Sequence, residues 1–502
     1  MLMYQKQRRY VESTRDKVRK PQWPGLALSL SCWGILDVLT EPKELSYASN
    51  LADHDGEGIR LFRTPTNLLS ASGDLRNIVK TIAELPCEYK GSIEVTINDR
   101  DSDIVNRNII LLLIALMIED KMKAVDCMLN LWYSAFIRET DLNVLQQKIR
   151  PLVKNVWDTV KQGPPFGIYE KVQPLGDCSV AVYLEKELWE RLLSSFEVPA
   201  GLTTKRAQAI HLRGMHNNAR KDYRNRFLWR QSTSHQLAYN RFWQDGLLLP
   251  VGSPLMEFCN PLNGWSSEAT SDIYGKLFFY LRETLHKFID RLRGSKVSFK
   301  LFRLDVEDLT DALKKDSFNR IEVSNICDVN YMNIHRTLLF MVPFLQLPAD
   351  NPHATSVTLF MNAVPMIPEY EGKILQMGPG SNEAKRLLKY MPLKPTSPGD
   401  PDLFKFMEGM EIVTNYNRFF DRYMKELEFK EAGEFFGAQM KAKHTITGKW
   451  PYQLKLKPSQ PGAKEEFERL LCSGMTSKER YVEWKRLPAL LAGRLLLASA
   501  WG

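Results

Sequence analysis

The sequence has few of the features that identify a metal site or a disulfide framework. Its seven cysteines lie far apart along 502 residues, and no two of them form a Cys-x-x-Cys pair. That spacing argues against a zinc module and a disulfide-stabilised fold, and it predicts a reducing compartment. None of the eight histidines begins a His-Glu-x-x-His motif, so we expect no zinc protease and no bound metal. The cysteines are Cys32, Cys87, Cys127, Cys178, Cys259, Cys327 and Cys472.

Signatures of other common classes are also missing. The sequence contains no Gly-x-Ser-x-Gly nucleophile elbow and no Walker phosphate loop. Its apolar run at residues 109–118 is too short to span a membrane. Residues 1–20 are basic and polar without an apolar core, and Glu12 and Asp16 disfavour a mitochondrial transit peptide. We therefore expect a cytoplasmic protein, with the nucleus as the alternative.

The composition is that of a folded protein with a large core. Hydrophobic residues make up 44% of the chain and aromatic residues 11%, which excludes wholesale disorder. The net charge of +9 arises from 68 basic and 59 acidic residues that are interspersed along the chain. Contact with nucleic acid is compatible with this charge but is not predicted by charge alone.

Strand and helix patterns alternate over residues 67–118. Residues 67–71 predict a short buried strand, and residues 75–85 follow with apolar residues at helical spacing. Residues 93–97 alternate as a half-buried strand, and residues 109–118 then predict a buried crossover helix. This order is typical of the first half of a doubly wound sheet, in which ligands bind at the carboxyl ends of the strands.

Polar residues stand where both of these strands end. Ser72, Gly73 and Asp74 follow the first strand, and Asp99 and Asp101 follow the second. A glycine turn offers backbone N–H groups to a ligand, and an acid after the second strand can accept hydrogen bonds from ribose hydroxyls. The single glycine and the spacing of 26 residues from Gly73 to Asp99 suit S-adenosylmethionine better than NAD. The alternative is a helix N-cap with a permissive turn residue and no ligand.

A second group of strand patterns follows a long helical stretch. Residues 297–302, 320–323 and 356–362 predict strands, with Asp305 after the first of them and Asn325 and Asp328 after the second. Strands that alternate with helices imply a parallel sheet, so these polar ends would gather at one sheet edge. We predict an α/β fold, a Rossmann-like parallel sheet split by a large helical insertion and followed by a helical C-terminal region.

The predicted organisation has seven parts. Near the end of the chain, residues 450–456 predict a short edge strand, and a last helix is expected to run through Trp484. The parts are a basic segment (1–32), the first half of the sheet domain (33–120), the helical insertion (121–296), the second half (297–391), a proline-rich linker (392–401), the helical region (402–486) and an apolar tail (487–502).

Several stretches of the sequence resemble a family of largely uncharacterised fungal proteins, many of which pair this region with a MYND-type zinc finger. The N-terminal part is also similar to the corresponding domain of dynein axonemal assembly factor three. The stretches that carry the resemblance are 33–34, 37–39, 70–82, 97–101, 246–250, 320–326, 358–364 and 479–484. This chain lacks the paired zinc-finger cysteines of many relatives.

The core is also similar to class I methyltransferases, and this resemblance implies roles for individual residues. Gly73 and Asp74 would lie by the methionine moiety of S-adenosylmethionine, Asp99 or Asp101 by its ribose and Asp305 by its adenine. Ser72 belongs to the same turn. The single glycine departs from the methyltransferase pattern.

Residues 205–230 form a basic stretch with interleaved aromatic residues. Eight Lys and Arg side chains accompany Tyr223, Phe227 and Trp229, a mixture that can hold phosphates and stack on bases. The alternative is a solvated helix face whose aromatic side chains point into the core. A nucleic-acid partner is therefore one prediction from this stretch.

Two functions are compatible with the sequence. The first is an S-adenosylmethionine-dependent methyltransferase, with Asn325 and Asp328 as the best-placed candidates for a general base. The second is a non-catalytic scaffold or assembly factor that keeps the fold and acts through protein partners.

Overall fold

The computed structural model describes residues 66–86, 89, 91–134, 136–215, 241–242, 246–247, 273–370, 372, 378, 380–392, 401–472 and 477–488. The predicted basic segment, residues 33–65 of the predicted first half, nearly all of the predicted linker and most of the predicted tail lie outside these residues.

Within the described residues, nine strands join into one sheet. Their alternating or fully buried patterns are rich in β-branched and aromatic residues, as in Ile93–Asn98 and Thr355–Phe360. The strands are β1 (Thr66–Ser70), β2 (Ile93–Asn98), β3 (Ile168–Leu175), β4 (Cys178–Glu185), β5 (Val297–Phe302), β6 (Arg320–Glu322), β7 (Thr355–Phe360), β8 (Ala438–Met440) and β9 (Arg480–Arg486).

Helices connect the strands and cover both faces of the sheet. They are α1 (Arg76–Ala83), α2 (Ser102–Met117), α3 (Lys121–Tyr133), α4 (Glu139–Val144), α5 (Arg150–Val160), α6 (Lys186–Ser194), α7 (Thr204–Met215), α8 (Ile273–Arg293), α9 (Val306–Ala312), α10 (Asn333–Met341), α11 (Asn382–Tyr390), α12 (Pro401–Val413), α13 (Asn417–Glu426), α14 (Phe429–Phe435) and α15 (Ala463–Cys472). A π turn over Leu145–Ile149 joins α4 to α5, and a 3₁₀ turn over Ser324–Cys327 follows β6.

The strand order is β3-β4-β5-β2-β1-β6-β7-β9-β8. The six strands from β4 to β7 in this order are parallel to their neighbours. β3 pairs with β4 in the antiparallel direction, and β9 runs antiparallel to both β7 and β8. The α/β class is confirmed, but the sheet is mixed, so the prediction of a parallel sheet is wrong at both ends.

The predicted helical insertion contains two of the antiparallel partners. β3 and β4 are joined by the two-residue turn Gly176-Asp177, in which Gly176 has a φ of +66° that suits glycine in a tight hairpin. β4 then pairs with β5 and extends the sheet at that end. Two short alternating runs separated by Gly-Asp are typical of a β-hairpin, so this hairpin could have been predicted from the sequence.

The C-terminal region also differs from the prediction. Residues 450–456 contain no strand, and the segment that ends near Trp484 is not helical but forms β9. The charged residues of this segment do not follow a strand pattern of apolar and polar residues. Arg480 and Glu483 are nevertheless buried in β9, where they have hydrogen-bonding partners. The interior position of two charges cannot be read from a hydrophobic pattern.

The core follows from the helix faces. Residues 109–115 of α2 are buried on all sides, as expected for a crossover helix between the sheet and a second layer. α1 buries Ile78, Val79 and Ile82 in the same hydrophobic cluster as α8. In a second cluster, aromatic residues of α13 and α14 pack on β7 and β9. Phe429 of α14, Phe360 of β7 and Trp484 of β9 belong to this cluster. Among the described helices, none is both long enough and apolar enough to span a bilayer.

Candidate functional site

The turn after β1 lies at the carboxyl edge of the sheet, where the sequence predicts a ligand. Ala71 and Gly73 both have left-handed backbones, with φ of +61° and +62°. The turn is fixed to the neighbouring strand, since the N–H of Ser72 donates to the carbonyl of Asn98 over 2.9 Å. A Cβ on Gly73 would meet no atom within 4 Å, so the backbone conformation and not crowding favours glycine here.

Asp99 binds this turn with its own carboxylate. Its Oδ2 accepts from the N–H of Gly73 over 2.9 Å, and its Oδ1 accepts from the N–H of Asp101 over 2.9 Å. The side chain is buried, and burial raises the pKa of Asp99 against the opposing effect of these two hydrogen bonds. Both carboxylate oxygens therefore already have backbone partners.

Arg107 holds the other side of the same turn. Its guanidinium donates from Nη2 to the carbonyl oxygen of Gly73, and burial lowers the pKa of Arg107. Arg107 was not predicted as a site residue. The sequence did contain an indication, because Asn106, Arg107 and Asn108 interrupt an otherwise apolar helix. In the structure all three side chains are buried, which is unusual for such residues.

The remaining predicted acids of this edge also have local partners. Asp74 is buried and forms an ion pair with Arg76, with 2.6 Å between its Oδ2 and Nε. Asp101 is the N-cap of α2 and accepts from the N–H of Asp103 over 2.9 Å. Asp305 is the N-cap of α9 and accepts from the N–H of Glu307 over 3.4 Å. Capping is the ordinary use of aspartate at these positions.

The two candidate bases lie after β6. Asn325 belongs to the 3₁₀ turn, and its carbonyl accepts from the N–H of Asp328 over 3.2 Å. Asp328 is fully buried and fixes the loop after β7, because its Oδ2 accepts from the backbone N–H groups of Met361 and Asn362, each over 3.1 Å. Burial raises the pKa of Asp328 to about 6.

A cavity of about 80 Å³ lies beside the glycine turn. Of the predicted cofactor residues it is lined by Ser72 and Asp74, and its other walls come from α1, β6 and β7 and from residues 446–447 and Tyr481. Ligand pockets in proteins usually measure roughly 300–1,000 Å³. This cavity is smaller than such pockets, and the Asp99 carboxylate, which is predicted to bind the ribose of S-adenosylmethionine, has two backbone N–H partners.

Comparison with known families identifies one region of the chain. Residues 36–137 match a family described as a domain of unknown function, DUF4470. The described part of the DUF4470 region contains β1, α1, β2, α2 and α3, and therefore the glycine turn, Asp99 and Arg107. No curated protein matches the chain, and no solved structure matches it. The resemblance to dynein axonemal assembly factor three and to proteins with MYND fingers stays a prediction.

Two predictions about ligands can be placed in the structure only in part. Among the described side chains, no group of three or more His, Cys, Asp or Glu residues could hold a metal ion. Of the basic stretch 205–230, only residues 205–215 are described, and Lys205, Arg206 and Arg213 are exposed on α7. The aromatic residues Tyr223, Phe227 and Trp229 lie outside the described residues.

Proposed function

We propose that this protein is a non-catalytic binding protein that keeps a methyltransferase-like sheet and acts through contacts with other proteins. The observation that carries the proposal is the pairing of Asp99 with the backbone N–H groups of Gly73 and Asp101. In a working cofactor site, the acid after the second strand would be available to a ribose. Here the same carboxylate stabilises the turn, and Arg107 completes the arrangement from the opposite side.

The edge strand β3 supplies a surface suited to a protein partner. Within the described residues, β3 is the end strand of the sheet and pairs only with β4. Phe166, just before the strand, is 88% exposed, and Ile168 and Val172 are 50% and 56% exposed. An exposed edge with apolar side chains is a site at which an extended segment of another protein can add a strand.

Methyl transfer from S-adenosylmethionine is the second candidate function, and the strand order favours it. Numbered by their order along the chain without β3 and β4, the strands β5-β2-β1-β6-β7-β9-β8 have the order 3-2-1-4-5-7-6. The strand between β7 and β8 is antiparallel to both. The first five places follow the 3-2-1-4-5 order of a Rossmann sheet, which binds nucleotide-like ligands at the carboxyl ends of its strands. The order supports a common architecture, whereas function depends on the residues at the edge.

Calorimetric titration with S-adenosylmethionine and with S-adenosylhomocysteine separates the two candidates. We expect no heat of binding and no thermal shift from either compound with the wild-type protein. Micromolar binding that disappears in Asp99→Ala would overturn the proposal and establish a cofactor site at the glycine turn.

Protein contacts are tested by co-purification from cells of the source organism, followed by identification of the bound proteins. We expect Ile168→Lys combined with Val172→Lys to lose partners that the wild-type protein retains. Val198→Lys, at a position that is 69% exposed outside β3, is the matched control and should keep them. Equal retention by all three proteins would exclude β3 as the binding surface.

A further inference from the structure

A groove of about 910 Å³ lies at the carboxyl end of β7, beside the last strands of the sheet. Its walls are α13, residues 440–455 and the first residues of β9. Arg480 at the start of β9 pairs with Phe360, the last residue of β7, so the groove opens at the same edge as the glycine turn. Its volume lies in the range of small-molecule sites, and open α/β sheets bind ligands at this edge.

Arg480 is a buried cation in the wall of this groove. Its side chain is 2% exposed, and Nη1 donates to the carbonyls of Ser477 and Glu479 over 3.0 and 2.9 Å. Nη2 donates to Oδ1 of Asn417 over 3.2 Å, and the guanidinium carbon lies 4.2 Å from the centroid of the Trp450 ring. All these partners are neutral. Within the described part of the chain, no carboxylate forms an ion pair with Arg480, and its Nε has no hydrogen-bond acceptor.

Burial without a counter-ion disfavours the charged guanidinium. Burial lowers the pKa of Arg480 to about 10, although the more distant charges of Glu479 and Asp421 act in the opposite direction. A charged group removed from water is stabilised only when an opposite charge and hydrogen bonds replace its hydration. A ligand with a negative charge would supply both.

The rest of the described lining is predominantly positive. Lys441, Lys449 and Lys455 accompany Arg480, whereas Asp421 supplies a negative charge. Lys441 is paired with Glu483 over 3.5 Å, and Lys449 and Lys455 are exposed at the groove. Clustered charges of one sign in a cleft raise the local concentration of ligands of the opposite sign.

The groove also offers aromatic surface and unused donors. Trp450, Tyr481 and Phe420 line it, and such side chains provide flat apolar area for a ring. The indole N–H of Trp450 and the hydroxyl of Thr447 are buried without partners among the described residues. Together with Nε of Arg480, three donors without acceptors therefore lie in the wall of one groove, where buried donors are normally paired.

We propose that this groove binds a small anionic molecule that carries an aromatic ring. The phosphate or carboxylate of the ligand is held near Arg480 and the exposed lysines, and its ring packs against the aromatic wall. The groove is too large for a simple inorganic anion to fill. The groove adjoins the glycine-turn cavity, with which it shares residues 446–447 and Tyr481 as a common wall. The proposal goes beyond the proposed protein-binding function.

Binding is tested on the full-length protein by saturation-transfer NMR and calorimetry with two pairs of probes. AMP and adenosine differ by the phosphate, and 2-naphthoate and 2-naphthalenemethanol differ by the carboxylate. We expect binding of at least one anion, no binding of its neutral counterpart, and an affinity that falls as salt concentration rises. Preference for AMP or for 2-naphthoate distinguishes phosphate from carboxylate ligands. Failure of both anions to bind at millimolar concentration would overturn the proposal.

Charge-reversal variants locate the site without disturbing the core. We expect Lys449→Glu to weaken binding of the anion at least fivefold. Lys430→Glu is the matched control, because Lys430 is 75% exposed on α14, outside the groove, and should leave the affinity unchanged. Arg480→Met is expected to abolish binding. If Arg480→Met does not fold, Lys449→Glu still tests the proposal. Equal affinity of the wild-type protein, Lys449→Glu and Lys430→Glu would overturn the proposal.

Discussion

At the scale of single residues, Asp99 and Arg107 determine the form of the glycine turn. Asp99 accepts from the N–H of Gly73 and Arg107 donates to its carbonyl, so both polar groups of one glycine are bound by charged side chains. Hydrogen bonds to charged groups are stronger than those between neutral groups. Asp99 follows β2 and Arg107 lies in α2, so the two side chains attach the turn after β1 to the segment that follows β2.

We expect Asp99→Ala to lower the free energy of unfolding by about 2–4 kcal/mol, because it leaves the N–H groups of Gly73 and Asp101 without their partner. Urea denaturation followed by circular dichroism measures this loss. Asp103→Ala is the control, since it removes an exposed ion pair with Arg191 and should cost about 1 kcal/mol or less. Equal losses in the two variants would show that Asp99 does not stabilise the turn.

Asp328 predicts a pH dependence of stability. Burial raises its pKa from an ordinary 3.8 to about 6, so between these pH values the folded protein binds more protons than the unfolded chain. Stability from this residue therefore falls as pH rises from about 4 to about 7, by about 3 kcal/mol. Asp328→Asn should remove this contribution, so its stability relative to wild type increases with pH.

Urea midpoints between pH 4 and pH 8 test this prediction. Asp308→Asn, the same change on the exposed side of α9, is the control and should follow the wild-type curve. If the curve of Asp328→Asn also ran parallel to wild type, the ionisation of Asp328 would not be linked to folding.

At the scale of elements, Glu483 attaches residues 445–447 to β9. Its Oε1 accepts from the N–H groups of Ile446 and Thr447 over 2.6 and 2.9 Å, and its Oε2 accepts from the N–H of Thr445 over 2.8 Å. Burial raises the pKa of Glu483, but these N–H groups and Lys441 outweigh it and hold the pKa below its ordinary value. One carboxylate thus accepts from three consecutive N–H groups of the segment that forms one wall of the groove.

We expect Glu483→Gln to increase amide hydrogen exchange at residues 445–447 by about tenfold or more, because an amide offers one acceptor oxygen where the carboxylate offers two. Exchange followed by mass spectrometry measures the change. Glu468→Gln, on the exposed face of α15, should leave exchange at these residues unchanged. Unchanged exchange in Glu483→Gln would show that other contacts hold the segment.

The sequence predicted the elements whose pattern is dictated by local burial. β5 agrees with the prediction at both ends, and β1, β2, β6 and β7 differ from it by a few residues at their ends. β9 could not be recognised, because its buried charges are stabilised by segments distant in sequence, such as residues 445–447. The polar residues after the strands located the predicted edge of the sheet. The bond from the N–H of Gly73 to Asp99 could not be predicted, because it joins residues 26 positions apart.

At the scale of the whole molecule, β9 closes one end of the parallel sheet. It pairs with β7 from Ser356 to Phe360, and every residue of β7 is buried. Without β9, this buried strand would present an open edge, which favours association between chains.

We expect a chain truncated after residue 436 to be insoluble or to form large aggregates, because it lacks both β8 and β9. A chain truncated after residue 488 is the control, since it retains β9 through Arg486 and should elute as the full-length protein does. Size-exclusion chromatography with light scattering distinguishes the two results. A soluble monomer from the shorter chain would show that β7 does not need its neighbour.

The position of β9 also has a consequence for synthesis on the ribosome. β8 precedes β9 along the chain, yet in the sheet it is separated from β7 by β9. When β7 and β8 have both left the exit tunnel, β7 can already pair with β6, but β8 has no neighbouring strand until residues 480–486 have been translated. The sheet is therefore completed only after β9 has been translated, and a nascent chain stalled before this point would need protection by a chaperone.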